Sequence, residues 1–327
     1  MKILFIGGTG NISRACTAHA AAAGYDVWVL NRGTRDVPLP SAAHSIIGDI
    51  TRAETHAELA KHSFDVVVDW IAYTPEEIER DIRLFRGRTG QYVFISSASC
   101  YERAPRHYII TEDTPLRNPY WTYSQKKIAC EELLMRAYRD EHFPVTILRP
   151  SLTYGDGWIP AALGGTDYTI IDRLRTGRDI IIHGDGTSLW EMTHNTDFAS
   201  GFTGLLGNAK AVGEAFHITS GEVLTWNDIY RMIAEAAGTA LSAVHIPSDF
   251  IASVDAEFGA RLHGDKAVSI VFDNAKIKRF VPSYRAQVKF CDGIQKAVSW
   301  FDADATRCVV NEKMNARIDA VLDAYGA

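Results

Sequence analysis

The sequence predicts an α/β fold, with a doubly wound parallel sheet covered by helices on both faces and a smaller C-terminal α/β lobe. Three observations point to it. The chain opens on an apolar run, Lys2-Ile3-Leu4-Phe5-Ile6, which reads as a strand buried on both faces. That run passes directly into Gly7-Gly8-Thr9-Gly10-Asn11-Ile12-Ser13 and an alanine-rich helix over 15–23 that Gly24 stops. Strand and helix signals then alternate, with strands at 26–30, 45–47, 64–70 and 91–96 and helices near 54–62 and 75–86, the pattern of a parallel sheet with crossover helices.

The turn after the first strand is suited to a phosphate. Gly7 and Gly10 lack a Cβ, so the backbone can approach a pyrophosphate. The helix starting at Asn11 and Ile12 offers free N–H groups and the positive end of its dipole. Ser13 takes the third small position, which lets the helix pack closely on the strand. After the second strand, Asn31-Arg32-Gly33-Thr34-Arg35 stands where an adenosine ribose would lie. A carboxylate there would favour NAD. Arg32 and Arg35 instead favour a 2′-phosphate and hence NADP, with NAD as the alternative if both are solvated loop arginines. Asp49, just past the third strand, reads either as an acceptor for the adenine amino group or as a turn aspartate.

At 327 residues and 46% hydrophobic content, the chain can bury a large core, and its length suggests one large or two intimate domains. The expected partition is a dinucleotide-binding domain over 1–154, with returning segments near 195–219, and a substrate lobe over 155–327. No run approaches the ~18 apolar residues of a membrane helix, and no basic stretch precedes the first strand, so a cytoplasmic protein without membrane association is expected. Five scattered cysteines (Cys16, Cys100, Cys130, Cys291 and Cys308) fit reduced thiols better than a disulfide framework. A net charge of -6 gives nucleic acid no general attraction. His183 and His194 lack partners at ligand spacing, so no metal is assigned.

The strand over 91–96 ends in Ser96-Ser97-Ala98-Ser99, and a helix follows that carries Tyr123 and Lys127 on one face, four residues apart. An ammonium beside a phenol favours the phenolate, so such a pair can exchange a proton with an alcohol or carbonyl oxygen. With these residues in place, the chain resembles an extended short-chain dehydrogenase/reductase, of the group described as NAD-dependent epimerase/dehydratase. The resemblance rests on Gly7, Gly10 and Ser13; on Ser97, four before Tyr101; on Tyr123, Lys127 and Glu131; and on Arg149-Pro150 ahead of Tyr154-Gly155. It continues through Gly184-Asp185-Gly186, Asp197 and Ile218-Thr219-Ser220-Gly221, to about residue 236. It implies a Rossmann domain in which Tyr123 is the general acid/base, Lys127 holds the nicotinamide ribose and lowers the tyrosine pKa, and Ser97 bonds the reacting oxygen. It also implies a homodimer built on the Tyr123 helix and the helix over 75–86, with Leu133, Leu134 and Tyr138 as contacts.

Departures from the family pattern narrow the expectation. Ala98 and Ser99 stand where dehydrating members carry acids, which argues against dehydration. Leu152 and Trp190 replace the asparagine and arginine that commonly hold a nucleotide-sugar pyrophosphate. Ser99, Tyr154, Trp190 and His194, with Trp158 and Met192, are the candidate substrate contacts. The expected activity is an NAD(P)H-dependent oxidoreductase that interconverts a carbonyl and an alcohol on a small organic substrate. The alternatives are a sugar or nucleotide-sugar epimerase with a retained cofactor, and a non-catalytic cofactor-sensing or RNA-associated protein.

Overall fold

Residues Ile3 to Ile6 of the first apolar run are fully buried in β1 (Lys2–Ile6), because helices cover both faces of the sheet it centres. The computed structural model describes residues 1–34 and 37–326, so Arg35 lies outside the described residues. In chain order the next strands are β2 (Asp26–Asn31), β3 (His44–Ile47), β4 (Val66–Asp69), β5 (Gln91–Ile95), β6 (Ile109–Ile110), β7 (Val145–Leu148), β8 (Leu152–Tyr154), β9 (Ile180–His183), β10 (Leu189–His194) and β11 (Ala215–Phe216). Among the described residues, seven form one parallel sheet in the order β11-β7-β5-β4-β1-β2-β3. Because β1 lies between β2 and β4, the chain leaves it on one side and returns on the other. A crevice therefore opens beyond the carboxyl ends of β1 and β4.

The alternation along β1 assigns the helices to faces. Ile3 and Phe5 share a core with Cys16 and Ala20 of α1 (Asn11–Ala22), whereas Leu4 and Ile6 share one with Leu59 of α2 (Ala53–Ala60) and with Ile78 and Ile82 of α3 (Pro75–Phe85). Cys130, Leu134 and Ala137 of α4 (Thr122–Glu141) join this second face. Pro75 opens α3 at a position where its missing N–H costs nothing. Glu77 completes a capping box by accepting from Thr74 N at 2.9 Å. Leu134 is wholly buried in this core and Tyr138 lies over Gly213 of its own chain. That corrects the expected contact set, because Leu134 is not available to a partner.

After α5 (Thr169–Arg175), two later pieces return to the first sheet: α6 (Asn195–Thr203) packs beside α1, and β11 pairs with β7. The exchange also runs the other way. Ala98, Tyr101 and Ile110 pack into the second lobe's core, together with Trp190 and with Trp226 of α7 (Trp226–Ala237). Strand β10 lies between β8 and β12 (Val223–Thr225), β9 pairs with β13 (Ala243–Ile246), and β6 pairs with β14 (Val271–Phe272). The segment behind Ser97 thus serves as a wall shared by both lobes. Among the described residues no helix is long and apolar enough to cross a membrane.

Candidate active site

Gly7 adopts φ +87°, and a Cβ on it would fall 2.4 Å from Ile71 Cγ2, so only glycine fits. Ser13 does more than keep the helix close to the strand. Its Oγ accepts from Gly10 N at 2.7 Å and donates to Gly7 O at 2.9 Å, which fixes the turn. No acidic residue occupies the first turn of α1, and Gly7, Gly10, Asn11 and Ile12 line a cleft of about 750 Å³. Asn11 also ties α1 to β8 and to the start of α6, donating to Thr153 O at 3.1 Å and accepting at its own carbonyl from Asn195 at 3.0 Å.

Arg32 and Asp49 lie on the walls of the same cleft, beyond β2 and β3. Arg32 is exposed. Asp49 Oδ1 accepts from Thr51 N at 2.9 Å and from Thr51 Oγ1 at 2.8 Å. These bonds, with the nearby Arg32 and Arg52 charges, hold its carboxyl below the ordinary range. The turn reading of Asp49 is therefore the one the geometry displays, and one oxygen of the carboxylate stays clear of the Thr51 bonds. Where an acid would select a ribose 2′-OH, Asn31 instead accepts from Gly33 N at 2.8 Å.

Tyr123 and Lys127 line the other end of the cleft. Lys127 Nζ donates to Ala72 O at 2.7 Å and Ile95 O at 2.8 Å and sits 4.4 Å from the centroid of the Tyr73 ring. Burial pushes this lysine down to about 8, against the opposing pull of Asp69. Ser97 hydrogen-bonds Tyr123 and lowers its pKa, but burial is stronger and drives the phenol well above its ordinary value, with Tyr73 and Cys100 adding in the same direction. The expected lowering of the tyrosine pKa is therefore not what the fold displays, since burial raises it. Two side chains that share a helical face do not reveal how much water each has lost.

Ser97 Oγ lies 2.9 Å from Ser99 Oγ, and Ser99 Oγ accepts from Ser124 at 2.7 Å, so Ser99 holds the serine turn against α4. Tyr154, Trp190 and His194 are placed away from the cleft. Tyr154 is fully buried against Phe290 and His194, Trp190 packs on Trp226, and His194 caps α6 through Thr196. Met192 is core as well, whereas Trp158 lines the cleft.

One functional feature escaped sequence reasoning. Asp69, at the end of β4, accepts from Ile71 N at 2.6 Å and Ala72 N at 2.8 Å, and so shapes the loop whose Ala72 carbonyl anchors Lys127. Behind it, Asp81 is pushed well up by burial and by the Asp69 carboxylate, and Arg80 Nε donates to Asp81 at 2.8 Å. The signal was an acid directly ending the apolar run Val66-Val67-Val68.

A glycine turn opening a helix, a crevice at the strand-order reversal, and Tyr123 and Lys127 in one cleft with Ser97 bonded to Tyr123 define an enzyme of the extended short-chain dehydrogenase/reductase type, and the residues fit a dinucleotide. The chain belongs to the NAD dependent epimerase/dehydratase family, whose model matches residues 3–219. Among curated relatives, it is 25% identical over 291 residues to 2′-dehydrokanamycin reductase of Streptomyces kanamyceticus, covering 87% of this chain and 80% of that one. It is 26% identical over 251 residues to the chloroplast stem-loop binding protein of 41 kDa b of Arabidopsis thaliana, covering 72% and 63%. Among solved structures, epimerase Mth375 of Methanothermobacter thermautotrophicus superposes with a TM-score of 0.77 at 19% identity, covering 96% of this chain and 94% of that one.

Proposed function

We propose that the chain is a carbonyl reductase or alcohol dehydrogenase that uses NADP(H) and acts on a small organic substrate, with Tyr123 as general acid/base, Ser97 as the partner of the reacting oxygen and Lys127 as the ribose holder. The observation that carries this reading is the convergence of Tyr123 and Lys127 with the glycine turn on one cleft, with Ser97 hydrogen-bonded to Tyr123. A bound nicotinamide would supply or accept the hydride. The chain's own part is to hold and move the proton. A phenol held above its ordinary pKa is protonated at neutral pH and can donate that proton to a carbonyl oxygen as it is reduced. Ser97 orients that oxygen toward the phenol. Lys127, fixed by two carbonyls, has further N–H capacity for ribose hydroxyls. Arg32 supports NADP over NAD, and similarity to a reductase supports the reaction class. The test is net NADPH consumption, followed at 340 nm, across a panel of small carbonyl compounds. Stoichiometric oxidation supports a reductase, whereas interconversion of epimers with no net cofactor change would replace it with the epimerase reading. Similarity to the stem-loop binding protein favours a second reading, an RNA-associated protein, and the catalytic set argues against it.

A further inference from the structure

Lys127 is a buried cation held by carbonyls rather than by a carboxylate. It is exposed by 2%, it donates to the carbonyls of Ala72 and Ile95, and the rings of Tyr73 and Phe94 lie 4.4 and 4.7 Å from its Nζ. Asp69 is a fully buried acid beside it. Its Oδ1 accepts from Ile71 N at 2.6 Å and Ala72 N at 2.8 Å, while its Oδ2 has no hydrogen-bond partner. The two side chains meet on one residue: Ala72 gives its N–H to Asp69 and its carbonyl to Lys127.

The other groups facing Lys127 are neutral or committed elsewhere. Burial pushes Cys130 of its own helix and Cys100 of the serine turn up to about 12, and drives the Tyr123 phenol well up, so all three keep their protons at neutral pH. Glu131 is bonded to Arg149 at 2.6 to 3.2 Å. Glu77 of α3 accepts from Tyr73 N and Thr74 N at the helix cap, and acts on Lys127 less than Asp69 does. On the far side of Asp69, Arg80 Nη2 lies 2.8 Å from Asp81 Oδ1 and 3.8 Å from Asp69 Oδ2. Burial and the Asp69 charge push Asp81 well up, so of these two acids Asp81 is the one that holds a proton. A buried charge without a counter-charge is costly. Asp69 opposes the burial that pulls the lysine down to about 8.

We infer that Asp69 is a positioning residue for Lys127: it shapes the turn whose carbonyl anchors the ammonium, and its carboxylate is the counter-charge that keeps the ammonium charged in a dry site. The consequence for the cofactor rests on the reading of Lys127 as the ribose holder. Affinity at alkaline pH then depends on a fully buried acid. Asp69→Asn separates shape from charge, since the amide oxygen still accepts from Ile71 and Ala72. With the Asp69 charge gone, Asp81 can ionise against Arg80, so that guanidinium is not stranded.

The experiment uses the full chain with lysine carbon-13 labelled at Cε, titrated by NMR across about pH 5 to 11. The Lys127 signal is the one lost in Lys127→Met. NADPH affinity is measured alongside by fluorescence. Loss of a neighbouring opposite charge should lower the Lys127 midpoint by about one unit in Asp69→Asn. The charged fraction at about pH 8 then falls from about a half to about a tenth, so NADPH affinity should drop roughly five-fold there and stay within about two-fold at about pH 6. An unchanged midpoint overturns the proposal, and an equal loss of affinity at both pH values alongside it makes Asp69 merely structural. A lowered midpoint with NADPH affinity unmoved leaves Asp69 as the counter-charge and refutes Lys127 as the ribose holder. The wild type decides even where the variant fails to fold: a Lys127 midpoint of about 5–6, the range of a buried lysine without a counter-charge, overturns the proposal.

Discussion

Replacing Arg32 by alanine tests the cofactor reading most sharply, because the structure sets both the sign and the size of the effect. Arg32 is exposed on the wall of the cleft, with the Asp49 carboxylate nearby and occupied by Thr51. A charge-assisted contact to a phosphate contributes about 1.5–3 kcal/mol, and exposure places this one at the low end, so NADP affinity should fall by roughly ten-fold. The Asp49 charge would then face a 2′-phosphate without its neighbouring cation, which pushes in the same direction. NAD carries no 2′-phosphate and should bind the variant and the wild type alike. The assay is a fluorescence titration with both reduced cofactors at several ionic strengths, and the salt dependence of NADPH binding should be steeper in the wild type than in Arg32→Ala. Equal wild-type affinity for the two cofactors, or equal loss of both in the variant, would refute the assignment and make Arg32 a solvated loop residue.

Further outcomes follow from named contacts. The Lys127 pKa is about 8 in the fold against an ordinary 10.5, so the folded state binds fewer protons than the unfolded one between those values. Its penalty is full below about 8 and is relieved as pH rises toward 10.5, so the melting-temperature difference between wild type and Lys127→Met should move in favour of the wild type from pH 7 to 10; a constant difference contradicts the burial. In the same protein, NADPH affinity should weaken as pH passes about 8 in the wild type and be low and flat in Lys127→Met, as read by titration. Gly7→Ala forces a Cβ onto Ile71 at a positive φ, and should lower stability by about 1–3 kcal/mol in urea unfolding and weaken cofactor binding; unchanged binding would detach the turn from the site. Helices α3 and α4 are proposed to pair across a two-fold axis, with Leu133 at the contact, so sedimentation at micromolar concentration should show a dimer, and a monomer there would remove that interface.

The legible parts of the sequence were those whose determinants are local. The run from Lys2 to Ile6, the glycines after it and the four-residue spacing of Tyr123 and Lys127 each act within a turn or two, so the chain order displays them. Residue type alone misled at Tyr154 and Trp190. An aromatic side chain serves a core as readily as a pocket, and the packing of Trp190 on Trp226 depends on strands paired across the lobe. Arg103 and Asp265 are 162 positions apart, and only the fold brings their charges together. The pKa directions were hidden for the same reason: proximity to Lys127 can be read from spacing, but the loss of water around Tyr123 follows from walls contributed by separate segments.

The central claim is that Tyr123 transfers the proton in a cleft that binds the cofactor independently of that phenol. Single-turnover oxidation of bound NADPH, with a carbonyl compound the wild type reduces, measures it directly in Tyr123→Phe. The rate should fall by roughly 10²- to 10⁴-fold while the NADPH dissociation constant stays within about two-fold, since only the proton-transfer group is removed. A variant that keeps more than about a tenth of the wild-type rate, with cofactor binding intact, would contradict the assignment.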